Sequence, residues 1–166
     1  MKRLLSLVFF CSSITIGCAQ ENSPAIETPT TSNYTYETVV DDINISWGMA
    51  FINEKELLVT EVSGTLYHVQ DGIKTAIEGL PDIYVRGQGG LLDVALHPDF
   101  KNNSILYMTL AATIDGDAGG NTSLYKAKLV DKHLEEVSLL YKATPNTKKG
   151  QHFGSRIAFD NEGHVY

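Results

Sequence analysis

The chain has 166 residues, 43% of them of the AVILMFWYC type, and a formal net charge of -7. That composition fits a globular protein with an apolar core. With Lys2 and Arg3 set aside, 11 basic residues face 20 acidic ones, so nucleic acid, which needs clustered Lys and Arg, is excluded as a partner.

At the N-terminus, Lys2 and Arg3 precede an apolar run from Leu4 to Phe10, with further apolar residues to Ile16. A positive start before a short apolar stretch predicts an export signal over residues 1–18, too short for a membrane span. Thr15-Ile16-Gly17-Cys18 resembles a lipoprotein box, although Thr15 departs from the usual Leu or Val. This reading makes Cys18 a lipidated membrane tether and the destination the periplasm or the cell envelope. An ordinary cut after Ala19 is the alternative. The two cysteines, Cys11 and Cys18, both fall in this segment, so the exported body has no internal disulfide. Residues 19–37 are polar and rich in Pro, Ser and Thr, and read as a flexible linker.

From residue 38 to 166 short apolar runs alternate with Gly, Asn and Asp turns, with no sustained helical period. The predicted strands are Trp47 to Ile52, Glu56 to Glu61, Thr65 to Val69 and Lys74 to Glu78. A second group is Leu91 to Leu96, Ile105 to Ala111, Ser123 to Val130 and Val137 to Ala143. A third begins with Arg156 to Phe159 and His164 to Tyr166. Met49-Ala50-Phe51, Val94-Ala95-Leu96 and Ile157-Ala158-Phe159 share one pattern, at spacings of 45 and 63 residues between the alanines. The first spacing fits a four-stranded propeller blade and the second a blade with enlarged loops; a sandwich with coincidental similarity is the alternative. Two blades and the start of a third do not close a propeller, so the chain reads as part of a longer protein.

Two glycine-rich segments each precede an inner strand. Arg86-Gly87-Gln88-Gly89-Gly90 has glycines that permit unusual backbone angles and close ligand approach, and a Gln that both donates and accepts hydrogen bonds. A tight turn is the plain alternative, and the pattern is not a phosphate loop. Gly150-Gln151-His152-Phe153-Gly154-Ser155-Arg156 offers His152, a side chain suited to proton transfer near neutral pH. Arg156 serves either an anion or an inter-blade carboxylate. His68, His97, His133 and His164 are weaker candidates, and His97-Pro98-Asp99 reads as a turn. No zinc motif is present. Asp115, Asp117 and Asn121 lack the spacing of a calcium loop and read as a hairpin loop.

Taken together, Trp47-Gly48-Met49-Ala50-Phe51 with Leu57-Leu58-Val59-Thr60-Glu61, the run from Gly87 to Phe100, and the run from Gln151 to Phe159 resemble the glucose/sorbosone dehydrogenase family, over residues 38–166. The His-Phe-Gly-Ser-Arg form is nearer to its soluble aldose sugar dehydrogenases. The resemblance implies a six-bladed all-β propeller, of which this chain holds about two blades and the start of a third. It also implies an enzyme that oxidises an aldose sugar at C1 to a lactone, with pyrroloquinoline quinone and calcium as cofactors and an external electron acceptor. His152 then corresponds to the general base and Gln88 to a residue lining the cofactor and substrate site. Gln151 stands where the glucose-specific branch carries an acid. No metal ligand is assigned, because the resemblance puts the calcium ligands in later blades, and these 166 residues alone are expected to be inactive. A non-catalytic envelope propeller that binds carbohydrate or protein is the alternative.

Overall fold

The computed structural model describes residues 34–113 and 118–166. The export signal, Cys18, the linker up to Asn33, and Asp115 and Asp117 lie outside the described residues. The body, Glu37–Tyr166, is built from antiparallel strands. β1 (Ser46–Phe51), β2 (Glu56–Glu61), β3 (Thr65–Gln70) and β4 (Ile73–Ile77) form one four-stranded sheet in chain order. β5 (Leu91–Leu96), β6 (Ile105–Ala112), β7 (Asn121–Val130) and β8 (His133–Lys142) form a second in the same order, with one helical turn, α1 (Phe100–Asn103), between β5 and β6. A four-stranded meander in chain order is the form a propeller blade takes. The expected all-β architecture with two blades holds.

The strands follow from burial and turns. β2 reads ELLVTE, and its four central residues are all buried, because both faces are covered. Leu58, with Leu66 and Ile77, packs in a core shared with Leu91, Val94, Leu106, Met108 and Leu110 of the second sheet. Leu57 and Val59 point the other way and pack with Val69, Val40 and Ile43. Each fully buried Leu or Val contributes about 1.5–3 kcal/mol, so the shared core holds the sheets face to face. Asp71 and Gly72, at φ 48° and 78°, make the two-residue turn between β3 and β4.

Two sequence expectations need correction. β8 begins at His133, four residues before the expected Val137. Asp131 and Lys132, at φ 45° and 65°, form a tight turn without the usual Asn-Gly or Asp-Gly signal, and Glu136, at φ 51°, sits where the β7–β8 register shifts and interrupts the alternation. The third group forms no full strands among the described residues. Its pairing is a bridge between Phe159 and Val165 and two mutual backbone bonds between Ala158 and Tyr166, at 3.0 and 2.8 Å. Ala158 faces Tyr166 as Ala50 faces Leu58 and Ala95 faces Tyr107, so the third repeat starts in the register of the first two.

Each inner strand carries a bulge at the same place. The register shifts between Ser46 and Met49 in β1 and between Leu91 and Val94 in β5. The bulged amides of Gly48 and Asp93 donate to the hydroxyls of Thr60 (2.8 Å) and Thr109 (3.0 Å) on the neighbouring strand. Each hydroxyl then reaches the next repeat. Thr60 Oγ1 donates to the Leu92 carbonyl at 2.5 Å, and Thr109 Oγ1 shares a 2.5 Å hydrogen bond with Ser155 Oγ. Asp93 completes the seam. Its carboxylate, 2% exposed, accepts from Arg156 Nη1 and from the Ile157 backbone N–H, both at 2.8 Å. A Cβ on Gly48 would stand 2.6 Å from Asp93 Oδ1, so glycine is needed beside it.

Asp93→Ala is expected to destabilise the protein by about 1–3 kcal/mol, because it strands the buried Ile157 amide while the exposed Arg156 rehydrates; a urea unfolding series measures this. Thr60→Val keeps the shape but leaves a buried amide and a carbonyl unpaired. Its cost is expected at about 1–3 kcal/mol and above that of Thr109→Val, whose second partner is another hydroxyl. Equal unfolding midpoints for the two variants would refute this account of the seam.

Candidate functional site

The two glycine-rich loops, which precede β5 and the third inner strand, are stitched together. Arg86 and Gly89 exchange backbone bonds of 3.1 and 2.9 Å around a turn whose corners are Gly87 and Gln88. The Gln88 N–H donates to the Gly150 carbonyl at 2.8 Å, and its side-chain oxygen Oε1 accepts from the His152 N–H at 2.7 Å. The approach requires glycine on both sides. Gly87 is at φ 60° and a Cβ there would overlap the Gly150 carbonyl; Gly150 is at φ 69° and a Cβ there would press on the Arg86 carbonyl. The structure therefore brings together the two sequence-selected site residues, Gln88 and His152, which are 64 positions apart.

His152 itself is at φ 64°, a left-handed conformation that a non-glycine residue adopts at a cost. It is exposed, whereas the next residue, Phe153, is buried with Leu92 and Ala111 and packs against Trp47 and Tyr84. The Tyr84 and Phe153 rings lie 6.3 Å apart. On its other side the loop is pinned by a backbone pair between Gly120 and Thr147, at 3.0 and 2.9 Å. Ring and backbone contacts thus fix the loop while the imidazole faces solvent. Gln151 is exposed beside it.

Among the alternatives for Arg156, the structure shows the inter-blade carboxylate, Asp93. Two of the other histidines, His97 and His164, serve local structure. The His97 Nδ1 accepts from the Asp99 N–H at 3.0 Å, and its ring stacks on Tyr107. His164 Nδ1 lies 2.8 Å from Asp160, and that contact, with the backbone N–H groups of His164 and Glu162 and the Tyr166 hydroxyl, holds the Asp160 carboxyl below its usual range. His133 is 3.9 Å from Glu78, and His68 lies on β3. Asn121 opens β7 and donates to the Pro145 carbonyl. Asp93, Thr60 and Thr109 were not singled out by sequence; their role rests on contacts 32 to 64 residues apart.

The two loops carry exposed Arg86, Lys148 and Lys149 and an exposed Gln88 in an otherwise acidic chain, which suits an anionic cofactor; Arg156 is already paired with Asp93. Among the described residues, no group of three or more His, Cys, Asp or Glu is arranged to hold a metal ion.

The glucose/sorbosone dehydrogenase family model matches residues 43–166. Aldose sugar dehydrogenase YliI of Escherichia coli (strain K12) is 31% identical over 135 residues, covering 78% of this chain and 36% of that protein. The crystal structure of the soluble aldose sugar dehydrogenase from Escherichia coli in its apo-form superposes with a TM-score of 0.71 at 30% identity, over 78% of this chain and 38% of the other. The PQQ-bound form of aldose sugar dehydrogenase from Streptomyces coelicolor gives a TM-score of 0.65 at 26% identity, over 78% and 39%. The chain thus spans just over a third of the length of these relatives. Two propeller blades, two stitched glycine loops and a match that runs through both of them lead to one conclusion: the chain belongs to the glucose/sorbosone dehydrogenase family.

Proposed function

We propose that the protein of which this chain forms two blades oxidises an aldose sugar at the C1 hydroxyl to the lactone, with His152 as general base. The observation that carries this reading is His152, exposed and held in a left-handed conformation where the two glycine-rich loops meet. A side chain that is solvent-accessible on an anchored backbone suits proton transfer, which needs a base within hydrogen-bond reach of the reacting hydroxyl.

The chemistry divides simply. The C1 carbon loses a hydride and its hydroxyl loses a proton, which gives the lactone. His152 takes the hydroxyl proton on an imidazole nitrogen. Pyrroloquinoline quinone, when bound, supplies the two-electron acceptor, and a further acceptor outside the protein must then remove the electrons. The PQQ-bound relative supports that cofactor. Gln88 would hold it through the side-chain amide N–H groups, since its oxygen is already taken by the His152 amide. Arg86, Lys148 and Lys149 would offset its negative charge. No step is assigned to calcium.

Export to the periplasm or cell envelope, with Cys18 as a lipid tether, completes the proposal. Mass measurement of the mature N-terminus is expected to find a lipid on Cys18; an unmodified start after Ala19 would oppose it.

In the full-length protein loaded with the quinone, His152→Ala is expected to lower dye-coupled turnover with aldoses by about 10²–10⁴-fold, with the unfolding midpoint little changed. Equal turnover in the variant and the parent would reject the assigned base.

A further inference from the structure

The Gln88 side chain does something a ligand contact alone does not require. Its Oε1 accepts the His152 N–H at 2.7 Å, while its own N–H donates to Gly150 at 2.8 Å. One residue therefore brackets the loop on both sides of Gln151. A backbone N–H demands an acceptor, so the orientation of the amide is fixed by chemistry: oxygen toward His152, nitrogen elsewhere. His152, one of the two residues so held, is also the non-glycine residue of that loop with a left-handed backbone. At φ 64° the Cα–Cβ bond of His152 leaves the chain in a direction that an extended or helical backbone does not offer.

We infer that Gln88 is a positioning residue for His152: its side-chain oxygen holds the His152 main chain in the left-handed conformation from which the imidazole reaches the reacting hydroxyl. This rests on the reading of His152 as the base. Gln88 then influences turnover through the backbone of another residue, in addition to any contact of its amide N–H groups with a ligand. The bond is exposed, so its contribution to overall stability is small, and its effect falls on the geometry of one side chain.

The test compares Gln88→Ala with Gln88→Glu in the full-length protein. Glu keeps an oxygen for the His152 amide and loses the N–H donors; Ala loses both. Backbone hydrogen exchange at His152 is read without cofactor. It is expected to speed up by about 2- to 10-fold in Gln88→Ala and to stay at the parent rate in Gln88→Glu. In the quinone-loaded protein, Gln88→Ala is expected to lower kcat by about 10- to 100-fold with the KM for the sugar little changed. Gln88→Glu is expected to recover part of kcat and to move the acid limb of the pH profile upward, because a new carboxylate beside the imidazole favours its protonated form. Unchanged exchange in Gln88→Ala overturns the inference, as does faster exchange with unchanged kcat. A raised KM at constant kcat also overturns it, by making Gln88 a ligand contact only. If His152→Ala keeps its turnover, the assignment of the base fails instead, and the exchange measurement still reports on the bracket.

Discussion

The blades depend on how each inner strand resolves its bulge. A bulge turns one backbone amide away from the ladder, and a buried amide without a partner costs about 1–3 kcal/mol. In β1 and β5 that amide finds a threonine hydroxyl on the neighbouring strand. A hydroxyl accepts and also donates, so the proton that remains is available for one more bond. Thr60 gives it to the Leu92 carbonyl, and Thr109 meets Ser155. The residue that repairs one blade thereby sets the position of the next. Valine would fit the strand as well, but it would repair nothing and connect nothing.

The same logic extends across the seam. Gly48, Asp93 and Arg156 occupy the same place in successive repeats, two residues before Ala50, Ala95 and Ala158. Glycine leaves room for the Asp93 carboxylate, and the carboxylate accepts from Arg156 and from the Ile157 amide. A buried carboxylate would be costly alone; here both oxygens are satisfied. Because the Ile157 amide is one of its partners, Asp93 sets the register of the third inner strand, and so the height of the loop that carries His152. The loops that lead into two successive inner strands reach the same end of the blades, and only there do Gly87 and Gly150 come close enough to interlock.

Much of this was legible in the sequence, and what was not has a common cause. β2 and β5 were bounded correctly because each is a short, mostly apolar stretch set off by turn residues. Gln88 and His152 were singled out as candidates through the resemblance, and the structure adds that a hydrogen bond joins them. β8 was missed at its start because its turn is Asp131-Lys132 and its bulge at Glu136 breaks the alternation. Thr60 and Thr109 are ordinary strand residues by composition, since a β-branched side chain suits a strand anyway. Their significance lies in bonds to residues 32 and 46 positions away. The left-handed backbone of His152 was equally silent, because neighbouring glycines draw attention to themselves and the strained residue is not one of them.

The placement of that strain is informative when the magnitudes are set side by side. A non-glycine residue in the left-handed region costs about 1–2 kcal/mol. The loop does not relax to an unstrained backbone, because Phe153 is buried against Leu92 and Ala111, which contributes about 1.5–3 kcal/mol. On the other side, Gly150 is locked to Gly87 and Gln88. His152 lies between two fixed points and absorbs the mismatch. Were the loop free to move, the imidazole would sample many directions, and any reaction at its nitrogen would lose the benefit of a fixed approach. The burial of Phe153 is thus what allows the neighbouring histidine to be exposed while its backbone is held in one place.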